Sequence, residues 1–185
     1  MRGTTVAFPD YSFYTTPQLL AAFAAGPARL RQAIAGLTEE ELHARPRGPA
    51  KWSIHEIVIH TTDSELQGAF RMRKVWSEPT PLLPAYDQDA WVRELDYQRE
   101  SAALRERALT LLALLREHTL PVLQRATADD WAKSGTHPEY GPVTLRNLLE
   151  IYADHVERHV EQILESRALL GRPLTMEPLL PRRLY

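Results

Sequence analysis

The sequence contains no cysteine, and this excludes disulfide bonds, thiolate nucleophiles and zinc sites with sulfur ligands. A bound metal ion would have to use His, Asp, Glu or water as ligands. A strong net charge is missing as well, because 22 Lys and Arg residues stand against 24 Asp and Glu residues. No overall basic field therefore favours nucleic acid or an anionic membrane as a partner.

Long apolar runs are also absent. No stretch approaches the roughly 18 consecutive apolar residues that can span a membrane, and the first residues, MRGTTVAFPDYSFY, lack the apolar centre of a secretory signal. We therefore expect a soluble, cytoplasmic protein. With 185 residues, 44% of them hydrophobic, we predict one domain over 1–185, with an extended arm at 1–15 and a proline-rich tail at 171–185.

The familiar catalytic signatures are missing too. The sequence has no GxSxG, P-loop, GxGxxG or HExxH motif. It also lacks the paired Glu-x-x-His pattern of di-iron bundles, because Glu157 in HVERH points away from the face that the two flanking histidines share.

The main pattern in the sequence is the repeat of apolar residues at helical spacing. These residues predict four long helices, which run from Thr16-Pro17 to about Leu37, from Ile54 to about Val75, from Arg99 to about Leu120 and from Leu145 to Leu170. Gly26-Pro27 should kink or split the first of them. Since no strand pattern is convincing, we predict an all-α four-helix bundle with a kinked first helix and long connecting loops.

The connections and helix ends carry further signals. Ser53 and Glu56 form a capping box at the start of the second helix. Residues 86–91, YDQDAW, follow a proline-rich stretch, and we expect a lid or a crossover there. Residues 126–144 contain several Gly and Pro residues, which predicts a loop or a small hairpin.

The same periodicity predicts which helix faces are buried. In the second helix the predicted inner residues are Ile54, Ile57, Val58, Leu66, Ala69 and Phe70. In the third helix they are Leu104, Ala108, Leu111 and Leu115, with His118 on the same face as a core or interface residue.

Two histidines lie inside the apolar stripe of the last helix. His155 and His159 are four residues apart, so their rings stack one turn above the other and point to the interior. A buried polar ring needs a partner. The two rings are therefore either metal ligands or core histidines satisfied by neighbouring polar groups.

His60, at the edge of the inner face of the second helix, is the obvious third imidazole. Three imidazoles on two rigid helices would suit one divalent ion per chain, zinc or nickel rather than magnesium or calcium. They leave at least one coordination position open. Such an ion lowers the pKa of a bound water or a bound thiol, and the sequence does not choose between these two nucleophiles.

Other residues are candidates for supporting roles. Asp63, three residues after His60, is a candidate catalytic base, with an exposed carboxylate as the alternative. Outer nitrogens of ligand imidazoles usually need a hydrogen-bond acceptor. The remaining predictions are Asp154 and Glu150 as those acceptors, His137 and Trp91 as pocket residues, and His43 and His55 as surface residues.

Three segments resemble the DinB-like metal-dependent enzymes, and within them the YfiT-like group. They are KWSIHEIVIHTTDSE at 51–65, AYDQDAW at 85–91 and HPEYGPVTLRNLLEIYADHVERH at 137–159. The resemblance implies a four-helix bundle, usually a homodimer, with a nickel or zinc ion held by three histidines that correspond to His60, His155 and His159. Family members often carry further histidines beside the second ligand, where this chain has Val156, Glu157 and Arg158.

The resemblance implies a divalent-metal-dependent hydrolase acting on a small molecule. It leaves open a metal-dependent transferase that adds a low-molecular-weight thiol to an electrophile. A third hypothesis is a non-catalytic, metal-stabilised dimeric module that binds a ligand or partner. Asp63 matches the acidic position that follows the first ligand in the family, and this does not assign it a role.

Overall fold

The computed structural model of the chain describes residues 11–180, and the predicted all-α four-helix bundle is confirmed. In chain order the elements are α1 (Thr16–Ile34), α2 (Glu39–His43), α3 (Ile54–Ser77), α4 (Gln88–Glu94), a 3₁₀ helix (Tyr97–Arg99), α5 (Ala102–Leu123), α6 (Ala128–Ala132), β1 (Ser134–His137), β2 (Gly141–Thr144) and α7 (Leu145–Leu169). The bundle consists of α1, α3, α5 and α7. Within residues 11–180, no helix is both long enough and apolar enough to cross a lipid bilayer.

Helices α3 and α5 lie side by side and run in the same direction. The Thr62 hydroxyl donates to the Ala108 carbonyl, and about three turns further along both helices Arg73 donates to the Thr119 hydroxyl. Contacts that advance together along both helices require a parallel arrangement. The connection over residues 78–101 must therefore return along the length of the bundle, so the segment expected to be a lid or a crossover is a crossover.

Helices α1 and α7 are also parallel neighbours. Arg146 donates to the Thr16 hydroxyl near the start of both helices, and Arg29 donates to Glu157 further along both. Each of these two helices also packs against one member of the other parallel pair, α1 against α5 and α7 against α3. The bundle is thus built from two parallel pairs and not from a simple up-and-down array.

The predicted capping box at the start of α3 is confirmed. The Glu56 amide donates to the Ser53 hydroxyl at 3.2 Å, and the Ser53 amide donates to the Glu56 carboxylate at 2.7 Å. Arg45 forms an ion pair with the same carboxylate. These contacts satisfy the free amides of the first turn and fix the residue at which α3 begins.

Helix α1 is a single helix, and the prediction that it divides at Gly26-Pro27 is wrong. Proline leaves the carbonyl four residues earlier without its helical donor. Here that carbonyl belongs to Phe23, and Arg116 of α5 donates to it at 2.7 Å. Gly26 makes room for the guanidinium, because a Cβ at this position would lie 2.3 Å from Arg116 Nη1. The helix starts at Thr16, with Thr15 as its N-cap.

Arg116 contacts all four helices of the bundle. Besides the α1 carbonyl, its guanidinium bonds Glu65 of α3 at 2.7 and 2.9 Å and the Tyr152 carbonyl of α7 at 2.7 Å. Arg116 and Glu65 are each 1% exposed. Burial raises the pKa of the Glu65 carboxyl, and the neighbouring guanidinium opposes that rise.

The predicted inner face of α5 is displaced by one residue. The structure buries Arg105, Leu109, Leu112, Arg116 and Thr119, whereas Leu111 and His118 are exposed. Leucines occupy several faces of α5 and therefore do not fix its orientation. Arg105 and Arg116 do, because each contacts a buried side chain of α3. In α3, Leu66 and Phe70 were also predicted as inner residues and are 41% and 51% exposed.

The segment at 126–144 contains the small hairpin that was one of its two predicted forms. Strands β1 and β2 pair in antiparallel register, and Leu83 of the crossover donates to the Thr136 carbonyl at 2.9 Å. Gly135 permits this close approach, since a Cβ there would lie 2.8 Å from the Pro81 carbonyl oxygen. Short helices α2 and α6 were not predicted, because each is a single capped turn without a stripe of its own.

The tail packs on the body of the bundle. Leu179 donates to Glu157 at 3.1 Å, the Glu177 carbonyl accepts from Arg29 at 2.8 Å, and Leu180 is buried in the core. Tyr11 of the predicted N-terminal arm is buried in the same core cluster. The rest of that arm and the last residues of the tail, 1–10 and 181–185, lie outside the described residues.

We predict that Gly26→Ala destabilises the protein. An exposed Gly→Ala change inside a helix usually stabilises by about 0.5–1 kcal/mol, but here the new methyl group meets the Arg116 guanidinium. Urea denaturation should show a loss, and the loss should be smaller in a background in which Arg116 and Glu65 are both replaced by Met, where the clash is removed and no buried charge is left unpaired. A stabilising Gly26→Ala change in the natural background would contradict this packing.

Candidate metal centre

Helices α3 and α7 bring three histidines together. His60 lies in the second turn of α3, at a position set by the Ser53 cap, while His155 and His159 are one turn apart on α7. The two helices pack against each other in opposite directions. The ring centroids lie 5.4 Å apart for His60 and His155, 5.0 Å for His60 and His159, and 4.4 Å for His155 and His159.

The ligand atoms of these rings converge on one point. One nitrogen from each ring lies within 4.8 Å of the other two, and the Nε2 atoms of His155 and His159 are 3.1 Å apart. Two imidazole nitrogens at 2.0–2.1 Å from a shared ion would be about 2.9–3.4 Å apart, depending on its geometry. Within residues 11–180, this is the one group of three or more such side chains with this spacing.

Unsatisfied polar atoms indicate that the rings fit a cation. His60 Nε2 is buried and has no hydrogen-bond partner among the described residues, and the same is true of His155 Nδ1. A buried polar atom without a partner is destabilising. For His60 Nε2, a metal ion at the point of convergence would remove that cost.

All three rings are neutral at pH 7. Burial lowers the pKa of His60 to about 2, with a smaller effect of nearby His159. Burial lowers the pKa of His159 to about 4, although its hydrogen bond with Gln162 opposes the change. Burial also holds the pKa of His155 well below its ordinary value. Since metal ions bind the neutral imidazole, few protons would have to leave on binding.

The hydrogen-bond acceptor for the outer nitrogen of His159 is Gln162. Its Oε1 atom accepts from His159 Nδ1 at 3.0 Å, which leaves the lone pair of Nε2 facing the other two rings. The acceptors expected from the sequence are engaged elsewhere. Asp154 forms an ion pair with Arg158 and acts on His159 through its charge, while Glu150 bonds two residues of the first turn of α7.

Trp52 closes one side of the centre. Its ring lies 4.5 Å from the His60 ring and 6.3 Å from the His159 ring, between centroids. Trp52 immediately precedes the Ser53 cap, so the cap that positions His60 also positions this indole. Trp52 belongs to the family-like segment at 51–65, and its place directly before a capping box is the sequence signal that points to this position.

A cavity of about 600 Å³ adjoins the centre at His155. His155 forms part of its wall, and the rest comes from α3, the crossover, the hairpin and α7. His137 lies in this wall, packed on Tyr140 at 4.7 Å between centroids. Trp91 does not line the cavity. It packs against Tyr86, which does, at 4.6 Å between centroids.

Asp63 is half-buried beside two tyrosines. The Tyr97 hydroxyl donates to Asp63 Oδ2, and the charge of Asp63 also acts on Tyr86. Burial raises the pKa of the Asp63 carboxyl, and the Tyr97 hydrogen bond opposes this rise. The cavity wall includes the next residue, Ser64, and not Asp63 itself.

His55 was predicted to be a surface residue and is fully buried. Its ring stacks on His43 at 4.1 Å, and Arg105 lies 3.0 Å from its Nδ1 atom. Burial lowers the pKa of His55 to about 4, and His43 and Arg105 add to the effect. Helical spacing within α3 places His55 away from His60, on a face that would be exposed in an isolated helix. In the bundle, His43 of α2 and Arg105 of α5 cover that face.

A family model for the DinB superfamily matches residues 22–163, which is more than half of the chain. The chain belongs to the DinB superfamily. The matched segment of this DinB protein contains all three converging histidines and ends before the tail.

Similar proteins include YfiT of Bacillus subtilis, which is 28% identical over 146 residues, covering 78% of this chain and 80% of YfiT. The solved YfiT structure matches with a TM-score of 0.79 over 88% of this chain and 93% of that one, at 25% identity. It is described as a probable metal-dependent hydrolase with an unusual four-helix bundle topology. A relative from Bacillus licheniformis, provisionally named a metal-dependent hydrolase, is 29% identical over 78% of this chain and 81% of its own.

We predict that the metal-free protein loses stability as the pH falls from about 6.5 towards 4. Buried histidines have lowered pKa values when folded and ordinary values near 6.5 when unfolded. The unfolded chain then binds more protons in this interval, and each such histidine costs up to about 1.4 kcal/mol per pH unit.

Urea denaturation in the presence of a chelator between pH 7.5 and 4.5 tests this expectation. His60→Gln should show a shallower dependence than the natural protein, and replacement of the exposed His118 by Gln should not change the slope. Equal slopes for all three proteins would show that His60 is not kept neutral by the fold.

Proposed function

We propose that this DinB protein binds one divalent metal ion through His60, His155 and His159 and hydrolyses a small molecule bound in the adjoining cavity. The convergence of three neutral imidazoles beside a cavity that one of them lines carries this proposal. The description of YfiT as a metal-dependent hydrolase supports it.

Three protein ligands leave a coordination position open, and the ion would supply a Lewis acid that lowers the pKa of a ligand held there. The side chains of this chain have distinct tasks around it. Gln162 holds the tautomer of His159, and Trp52 keeps solvent from one side. His155 faces the cavity, so a bound molecule has access from that direction. Nitrogen ligands and the absence of cysteine favour zinc or nickel.

Asp63 is the proposed proton acceptor. Its raised pKa brings the carboxyl nearer to the range in which a base exchanges protons at neutral pH. The Tyr97 hydroxyl orients it and stabilises its ionised form. Because Asp63 stands just behind the cavity wall, this role requires a proton path through a bound molecule or water next to Ser64.

A second candidate function is transfer of a low-molecular-weight thiol to an electrophile. One observation favours it: a further cavity of about 410 Å³ includes Trp52 in its wall, and Asp89 of α4 borders both cavities. A hydrolase needs one organic substrate, whereas a transferase must hold both a thiol and an electrophile, and two neighbouring cavities offer space for two molecules.

We also infer a homodimer. Leu66 and Phe70 of α3 and Leu111 and Leu114 of α5 are exposed on neighbouring helices, and a second copy of the chain would cover apolar side chains of this kind.

We predict that His60→Ala abolishes metal binding while the bundle stays folded. Loss of one of three ligands should lower metal affinity by at least about 100-fold. Elemental analysis of protein purified without a histidine tag should show about one divalent ion per natural chain and almost none per variant chain. His118→Ala removes an exposed histidine and is the matched control. Equal metal content in His60→Ala and the natural protein would reject the site.

We predict turnover of a simple ester, p-nitrophenyl acetate, by the metal-loaded protein without any thiol. The natural protein should exceed His60→Ala by at least about 100-fold in kcat/KM. A parallel assay with monochlorobimane and a panel of low-molecular-weight thiols tests the second candidate. Thiol-dependent turnover without ester hydrolysis would replace the hydrolase by the transferase, and neither activity in metal-loaded protein would favour a non-catalytic module.

A further inference from the structure

The cavity beside the three histidines contains one arginine without an acidic partner. Arg71 of α3 lies in the cavity wall, and within residues 11–180 it forms no ion pair. We propose that Arg71 binds the carboxylate or phosphate group of the substrate, so that the substrate is a small molecule with an oxyanion at one end. This inference rests on the proposed function and names the chemical class that the cavity selects.

The hydrogen bonds of Arg71 leave donors available. Its Nη1 atom donates to the Tyr152 hydroxyl at 3.0 Å and its Nη2 atom donates to the Pro84 carbonyl. Each of these two nitrogens carries a second hydrogen that the bond does not use, and the buried Nε atom has no partner among the described residues. A guanidinium has five N–H donors in a planar fork that matches a carboxylate or a phosphate. Neither a hydroxyl nor a carbonyl balances its charge.

Two of the three buried arginines within residues 11–180 have acidic partners. Arg105 pairs with Glu39 and Arg116 pairs with Glu65, whereas Arg167 has only carbonyl partners among these residues. Burying a charge without an opposite charge is unfavourable. At Arg71 the opposite charge is missing at a wall that a small molecule can reach, which is where a ligand would supply it.

The position of Arg71 suits a substrate whose reactive group faces the metal centre. Tyr152 connects the two, because its hydroxyl accepts from Arg71 and its ring centroid lies 6.3 Å from that of His155. Arg71 and His155 also line the same cavity, so a molecule with its oxyanion on Arg71 would lie in the space that the His155 ring borders.

The charges at the cavity mouth restrict the other end of the molecule. Asp87, Asp89 and Glu139 line the mouth and are exposed. Like charges near them would be repelled. The cavity therefore favours one inner oxyanion with a neutral or cationic outer part, and it disfavours molecules with negative charge at both ends.

Ligand-observed ¹⁹F NMR can test the anchor with a matched pair of probes, 4,4,4-trifluorobutyrate and 4,4,4-trifluorobutyramide. The natural protein should bind the anion at least about tenfold more tightly than the amide, which corresponds to about 1.4 kcal/mol. Arg71→Gln should abolish this preference. Arg73→Gln is the control, because Arg73 lies two residues further along α3 and is absent from the cavity wall.

Each measurement is made on protein with its metal and after chelation. A preference that survives chelation and disappears in Arg71→Gln supports the anchor even if the proposed hydrolysis fails. A preference that disappears on chelation and persists in Arg71→Gln assigns the anion to the metal ion and overturns the proposal. Inorganic phosphate and acetate are added as competitors, and the stronger one identifies the oxyanion.

A direct readout covers the case in which Arg71→Gln does not fold. In ¹⁵N-labelled natural protein, the Nε–H signal of Arg71 should shift when trifluorobutyrate is added and stay unchanged with the amide. If saturating anion leaves that signal unchanged, Arg71 only supports Tyr152 and Pro84, and the proposal is wrong.

Discussion

The rest of the bundle depends on the guanidinium of Arg116. It supplies the donor that Pro27 removes from α1, pairs with Glu65 of α3 and bonds the Tyr152 carbonyl of α7. Removing one partner of such a buried pair typically costs about 3–5 kcal/mol, although an apolar replacement of the whole group can be neutral. The pair therefore specifies how the helices are arranged more than it adds to their stability. It sets the register of α3 against α7, since Glu65 follows His60 by five residues and Tyr152 precedes His155 by three.

The metal centre relies on this register, because holding three imidazoles close together costs folding free energy that the rest of the bundle has to offset. They are neutral and close together, His60 and His159 are buried and His155 is half-buried, and two of their nitrogens have no partner among the described residues. Such an arrangement persists only where stronger packing holds the helices in place. The antiparallel contact of α3 with α7 brings the rings together, and the crossover between two parallel helices builds the cavity next to them.

Much of the fold followed from local chemistry. The Ser53 cap, the four long helices and the place of the histidines on one face of α7 all depend on residues within a few positions of one another. Three of the wrong predictions share a cause in buried arginines. Arg105 and Arg116 turn α5 by one residue relative to its leucines, Arg116 keeps α1 whole at Pro27, and Arg105 together with α2 covers His55. A hydrophobic pattern cannot identify a buried charge whose partner lies on another helix.

The amino-acid sequence by itself determined the helices, the spacing that stacks His155 over His159 and the choice of nitrogen ligands in a chain without cysteine. Only the tertiary structure decided that His60 meets them, that Gln162 and not Glu150 bonds a ring, and that Trp91 stands behind Tyr86. The physical reason is the separation along the chain over which each kind of interaction acts. Helical periodicity and capping act over a few residues, whereas the meeting of side chains from different helices depends on packing between segments that are far apart in the chain.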